Sequence, residues 1–232
     1  MFRFKHFTIF DASTAMKVGT DGVLLGAWAD VAEDANILDV GTGSGIIAIM
    51  AAQRNASAHV TALDIDADAV VQAQANINAS AWGTRIVCKH IDIKEFGSDA
   101  KYDHIISNPP YFIENTHSPN PQRNAARSAE SLPFRELVSS AVRLLNVGGK
   151  LSVVLPTESA SLFRYEAFER LWLSRLCSVI TVEGDAPKRM LMEFVYTDKP
   201  LMPRCEELSI QHRDGSYSLK YRELTKDFYL NF

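Results

Sequence analysis

Residues 107–112 read Ser-Asn-Pro-Pro-Tyr-Phe, an amide side chain followed by two prolines and two aromatic rings. Each proline fixes its own φ and lacks an N–H, so neither a strand nor a helix continues through the stretch. Asn108 precedes a proline and is pushed towards extended backbone. Its side-chain amide and the carbonyls after it are thereby left outside regular pairing. The plainest reading is a rigid turn. The alternative is a polar clamp beside an aromatic platform, and the surrounding residues decide between the two.

A second cluster lies upstream in "ILDVGTGSG", where Gly41, Gly43 and Gly45 form a turn between an apolar run and a helix-period run. Such a turn lets the backbone approach a ligand closely and aims helix N–H groups at it. The dinucleotide fingerprint needs its third glycine three places after Gly43, where this chain has Ile46. The G-x-G-x-G form suits an adenosyl sulfonium ligand that carries no pyrophosphate. Asp39 fits the same ligand: it would repel a pyrophosphate, but beside a sulfonium and an amino group it is favourable, directly or through water. Asp64, at the end of the next apolar run, can accept from both ribose hydroxyls. Asp66 either takes that role instead or caps the helix that follows. Asp92, in "HIDIKEF", either accepts from an adenine amine or is a loop carboxylate in solvent.

These residues need a scaffold that brings them to one edge. From about residue 36 to 197, apolar runs alternate with helix-period stretches, the pattern of βαβ units around a parallel sheet. Strands are predicted near 36–40, 59–64, 85–91, 102–107, 149–155, 176–183 and 190–197. Helices are predicted over 44–53, 66–80, 133–145 and 157–171. "GDAPKR" leaves no room for a helix between the last two strands, so the seventh strand should run antiparallel to its neighbour. The expected fold is α/β and Rossmann-like, a seven-stranded, mostly parallel sheet with an antiparallel last strand. That arrangement is similar to class I S-adenosylmethionine methyltransferases, and classical nicotinamide-binding domains lack such a pair. One core over 36–204 is expected, with an N-terminal extension and lid over 1–35 and a charged, tyrosine-rich tail over 205–232 packed on the core.

The motifs "DVGTGSG", "ALDID", "HIDI" and "ISNPPY" occur in the order and approximate spacing found in amino methyltransferases. With "KVGTDGVLLGAW" and "PKRMLMEF", the chain resembles the bacterial tRNA(Val) adenine-37 N6-methyltransferase family over nearly its whole core. The resemblance implies S-adenosylmethionine as cofactor and tRNA as substrate. It implies cofactor contacts at Thr20, Asp21, Asp39, Gly41, Thr42, Gly43, Gly45, Asp64, Ile65, Asp92, Ile93 and Asn108. It also makes Asn108, Pro109, Pro110 and Tyr111 the N-P-P-Y signature of enzymes that methylate a planar nitrogen.

Such a nitrogen is a poor nucleophile because its lone pair is delocalised into the ring. The Asn108 side-chain oxygen and the Pro109 carbonyl can hold both amine hydrogens and favour pyramidalisation. They also stabilise the charge that develops on nitrogen, which is oxyanion-hole logic with the sign reversed. Tyr111 or Phe112 would stack on the extruded base. No metal is needed.

N-P-P-Y also suits a protein glutamine amide or a guanine of ribosomal RNA, so the flanks must choose the substrate. Arg3 and Lys5 near the N-terminus, Arg123 and Arg127 after the clamp, and Lys188 and Arg189 in the hairpin are either solvated charges or RNA phosphate contacts. A methyltransferase-like module that binds without transfer is disfavoured, because cofactor and clamp residues are both intact.

Bulk properties narrow the class further. With 47% hydrophobic and 22% charged residues, the 232-residue chain has the composition of a soluble globular protein. No apolar run is long enough to cross a membrane, and a cytoplasmic monomer is expected. A net charge of −4 excludes a uniformly basic binder but allows a local basic face. Cys88 and His90 are two apart with no partner cluster and read as strand residues, not half of a metal site.

Overall fold

The computed structural model describes residues 1–11, 17–97, 100–110 and 133–231. A short hairpin, β1 (Phe2–Arg3) and β2 (Thr8–Ile9), precedes helix α1 (Thr20–Trp28). The central alternation follows as β3 (Asn36–Val40), α2 (Ile46–Arg54), β4 (His59–Asp64), α3 (Ala67–Ala79), β5 (Ile86–His90) and β6 (Tyr102–Ser107). After it come α4 (Phe134–Leu144), β7 (Leu145–Pro156), α5 (Thr157–Ala167), β8 (Trp172–Val182), β9 (Arg189–Val195), β10 (Arg204–Gln211) and α6 (Leu219–Thr225).

The large sheet has the order β10-β8-β9-β7-β6-β3-β4-β5. Strands β3 to β7 pair in parallel, and β9 runs antiparallel to both β7 and β8. The expected mostly parallel sheet with its reversed seventh strand is therefore present. It carries an eighth strand, β10, parallel to β8 and drawn from the tail that was expected only to pack on the core.

Period-2 alternation sends neighbouring strand residues to opposite faces. Ile37, Ile106, Val154 and Leu191 join one apolar cluster, with α1, α2 and the N-terminal hairpin. Leu38, Ile105, Val153 and Met192 join the other, with α4 and α5. Both faces being covered explains why these strands read as nearly continuous apolar runs. Residues 22–28 of α1 are all buried, and α1 lies against α2. Gly26 permits that contact, since a Cβ there would sit 2.8 Å from the Met50 sulfur.

One buried polar chain has the order of a hydrolase triad. His104 Nδ1 is 2.8 Å from Asp34 Oδ2, and its Nε2 is 2.8 Å from Ser152 Oγ. Lys150 Nζ completes the chain, 3.0 Å from Asp34 Oδ1. His104 and Ser152 are wholly buried, so no substrate reaches the hydroxyl. The chain is an internal tie joining the loop after α1 to β6 and β7.

Candidate functional site

The C-terminal ends of β3, β4, β5 and β6 lie side by side, and the sequence-predicted residues gather there because each follows or ends one of these strands. Ligands of open α/β sheets bind at this edge. Ser107 Oγ donates to the Val40 carbonyl at 2.9 Å, holding the end of β6 against the start of the glycine turn.

Gly41, Gly43 and Gly45 have φ of +70°, +54° and +82°, values that favour glycine. An added Cβ at Gly41 or Gly43 would meet nothing within 4 Å, so both face open space. At Gly45 it would sit 3.4 Å from Ala73 Cβ, so that glycine admits α3 instead of a ligand. Asn76 was not legible as part of the site. Buried in α3, it donates to the Ser44 carbonyl at 2.8 Å and exchanges two hydrogen bonds with the Phe10 backbone. No motif announces it.

Asp39 is wholly buried. Its Oδ2 accepts from Thr42 Oγ1 at 2.6 Å and from the Ala48 N–H at 3.1 Å, which also accounts for Thr42. Its Oδ1 is buried without a hydrogen-bond partner. Burial pushes the carboxyl up to about 7 against the pull of these donors, and the nearby Asp64 adds to the rise.

Asp64 accepts from the Gly43 N–H at 2.8 Å through Oδ2 and from the Asp66 N–H at 3.0 Å through Oδ1. Each oxygen keeps a lone pair for a further donor. Burial raises this carboxyl too. Asp66 caps α3, accepting from the Asp68 and Ala69 N–H groups, and Asp64 is the acid that meets the glycine loop. Ile65, beside it, is exposed, with its carbonyl 3.0 Å from His90 Nε2.

Asp92 and Ile93 follow β5 and have partners within the protein. Asp92 Oδ1 accepts from the Lys94 N–H at 2.9 Å and Oδ2 pairs with Lys94 Nζ at 3.1 Å, so its carboxylate closes a local turn. The Ile93 side chain is buried in the second apolar cluster and its carbonyl accepts from Arg143.

Asn108 follows β6, and its Oδ1 is buried with no hydrogen-bond partner among the described residues. Pro109 is buried and Pro110 half-buried. Tyr111, Arg123 and Arg127 lie outside the described residues. Arg3 and Lys5 sit by the C-terminal segment, where Lys5 Nζ donates to the Lys226 carbonyl at 2.6 Å. Lys188 is exposed. Arg189 instead forms an ion pair with Asp21, Nε to Oδ2 at 2.8 Å.

Among the described residues, no group of three metal-ligating side chains is assembled, and no helix is long and apolar enough to cross a membrane.

Fold and site together define a class I S-adenosylmethionine-dependent methyltransferase. In keeping with this, the methyltransferase small domain family matches residues 13–161. A tRNA1(Val) (adenine(37)-N6)-methyltransferase from Phocaeicola vulgatus is 47% identical over 99% of this chain and 97% of its own length. Proteins of the same name are 42% identical in Bacteroides thetaiotaomicron, over 99% of this chain and 97% of theirs, and 39% identical in Histophilus somni, over 100% and 98%. The chain belongs to this family of small-domain methyltransferases. In fold it is similar to a predicted O-methyltransferase from Agrobacterium tumefaciens (TM-score 0.72, 19% identity, 90% of this chain and 96% of that one). It is also similar to the N-methyltransferase NodS of Bradyrhizobium japonicum in complex with S-adenosyl-L-homocysteine (TM-score 0.54, 17% identity, 75% and 83%).

The residues present fit the cofactor: two open glycines, a loop-facing carboxylate with spare lone pairs, and a buried acid whose charge a cation would favour. A pH dependence follows. A cationic ligand favours the ionised form of Asp39, so cofactor affinity should climb with pH towards about 7 and flatten above it. Binding below that point should release a proton. Calorimetry in buffers of different ionisation enthalpy checks this, and Asp39→Asn should level the profile. The free protein shows the opposite trend. Unfolded Asp39 ionises first, so this group's contribution to stability is lost as pH rises from the ordinary carboxylate range to about 7.

Proposed function

We propose that this protein transfers a methyl group from S-adenosylmethionine to N6 of adenine 37 in tRNA(Val), acting directly on a base turned out of its stack. The observation that carries this reading is the Asn108 Oδ1, a buried acceptor without a partner among the described residues, at the end of β6 beside the glycine turn. An unpaired buried amide oxygen costs about 1–3 kcal/mol, which a donor from outside the protein would recover. An exocyclic amine is such a donor.

When bound, the cofactor supplies a methyl carbon made electrophilic by the sulfonium. Asp64 would hold the ribose hydroxyls, Ile65 the face of the adenine ring, and Thr20 and Asp21 the far end of the ligand. Asn108 and the Pro109 carbonyl orient the attacking nitrogen and stabilise the charge it gains, Pro110 stiffens the turn, and Tyr111 stacks on the base. Residues 36–204 form the catalytic core, with 1–35 closing over it and 205–232 buttressing it. We take the enzyme to work as a cytoplasmic monomer.

Arg3, Lys5, Arg123, Arg127 and Lys188 are the proposed phosphate contacts. With Arg189 occupied by Asp21, the hairpin's salt-sensitive contact falls to Lys188. Lys188→Ala should reduce the slope of log affinity for tRNA against log salt by about 0.7, without moving cofactor affinity. An unchanged slope would make Lys188 a surface charge.

The whole reading is tested by incubating the protein with labelled cofactor and separate pools of tRNA, ribosomal RNA and protein, followed by nucleoside and amino-acid analysis. Label in N6-methyladenine of tRNA is the expected result. Label in guanine or glutamine would replace it.

A further inference from the structure

Arg189 lies in a hairpin that invites an RNA-binding role, yet its guanidinium is turned inward. Its Nε donates to Asp21 Oδ2 at 2.8 Å, and its Nη1 donates to the Lys188 carbonyl at 2.9 Å. The backbone beneath it is fixed in turn. Thr157 Oγ1 donates to the Pro187 carbonyl at 2.9 Å, and the Lys188 N–H to the Val179 carbonyl at 2.9 Å. A phosphate would compete with a carboxylate already in charge-assisted contact with an oriented guanidinium.

The other end of this contact is the first turn of α1. The C-terminal end of that helix is held several times over. Arg54 donates to the Gly26 carbonyl at 2.9 Å and also to that of Ala29, and Trp28 Nε1 donates to Glu206 at 2.7 Å. The Arg175 guanidinium also lies 4.1 Å from the Trp28 ring. The N-terminal end starts at Gly19, which has no side chain to cap it. There, among the described residues, the Asp21–Arg189 pair is a cross-link from helix to sheet.

That cross-link lands close to the site. Arg189 opposes Pro156, the last residue of β7, and β7 lies beside β6, which leads to Asn108. At about 4.8 Å per strand and about 3.3 Å per residue along it, the Arg189 backbone, two strands across and two residues along, is roughly 12 Å from that of the clamp residue. Thr20 and Asp21 are also the residues of α1 expected to meet the cofactor.

We propose that Arg189 is a positioning residue for the methyl-transfer site: through Asp21 it holds the first turn of α1 against β7 and β9, and it makes no phosphate contact with the RNA. The inference rests on the proposed function for the identity of the ligands. Its main readout, cofactor binding, does not depend on which RNA is methylated.

Arg189→Met in the full-length protein should weaken cofactor binding by about 5- to 20-fold, the pair being partly solvent-exposed and so weaker than a buried one. It should raise the KM for cofactor with little change in kcat at saturation, and leave the salt slope of tRNA binding unaltered. Arg189→Lys, which restores a donor to Asp21, should recover most of the affinity. A salt slope reduced by about 0.7 in Arg189→Met would overturn the proposal and make Arg189 a phosphate contact. So would a lowered melting temperature with unchanged cofactor affinity, or a failure of Arg189→Lys to recover it. If the parent protein methylates no tRNA, the functional reading fails, while the calorimetric contrast among the three proteins still decides the role of Arg189.

Discussion

Asn108→Ala should slow methyl transfer by on the order of 10²-fold or more, while cofactor and tRNA still bind with near-parental affinity. The magnitude follows from removing one preorganised dipole aimed at developing charge. The sign of the separation between chemistry and binding follows from the structure. Asn108 Oδ1 accepts no hydrogen bond among the described residues. Its loss should therefore leave the melting temperature unchanged or slightly raised, because an unsatisfied buried acceptor disappears with it. Single-turnover kinetics at saturating cofactor and varied tRNA measure the effect. Transfer at the parental rate would return residues 107–112 to the status of a turn.

The second large effect belongs to Asp64. Asp64→Ala should weaken cofactor binding by on the order of 10²-fold or more, from two charge-assisted hydrogen bonds at roughly 1.5 to 3 kcal/mol each. The structure adds a reason for the upper part of that range. The same carboxylate receives the Gly43 and Asp66 N–H groups, so its removal also releases the turn that faces the ligand. Asp64→Asn, which keeps acceptor capacity but loses the charge, should fall between the two. Titration calorimetry distinguishes them, and parental affinity in Asp64→Ala would take the ribose away from this residue.

The sheet was readable because strands covered on both faces write themselves as apolar runs, and the hairpin because six residues cannot hold a helix. β10 was not readable. Its first four residues are exposed and two of them are glutamates, so it has neither the apolar run of a buried strand nor the alternation of a half-buried one. β7 begins earlier than expected because "NVGG" looks like a turn, although α4 passes directly into the strand at Leu145. In the site, residue types at strand ends were legible, but the direction of each side chain was not. Asp39, Asp64 and Asp92 are equivalent as letters. One is buried under the loop, one bridges it, and one folds back on Lys94. Arg189 carried the same ambiguity, because nothing local tells a guanidinium whether its partner is a phosphate or an aspartate 168 positions away.

The N-terminal hairpin rests on the far end of the chain: the Phe4 ring stacks at 6.0 Å from that of Tyr229, and the Lys5 N–H donates to the Phe228 carbonyl at 2.8 Å. During synthesis the first aromatic residues therefore emerge from the ribosome long before the segment that covers them. At about 5–20 residues per second the interval is many seconds. Contacts so distant in sequence form late in folding, after the sheet that carries the glycine turn and the clamp has its central strands. The nascent chain should hence pass through a stage with a formed catalytic edge and an unshielded aromatic cluster, the stage most exposed to chaperones and to aggregation.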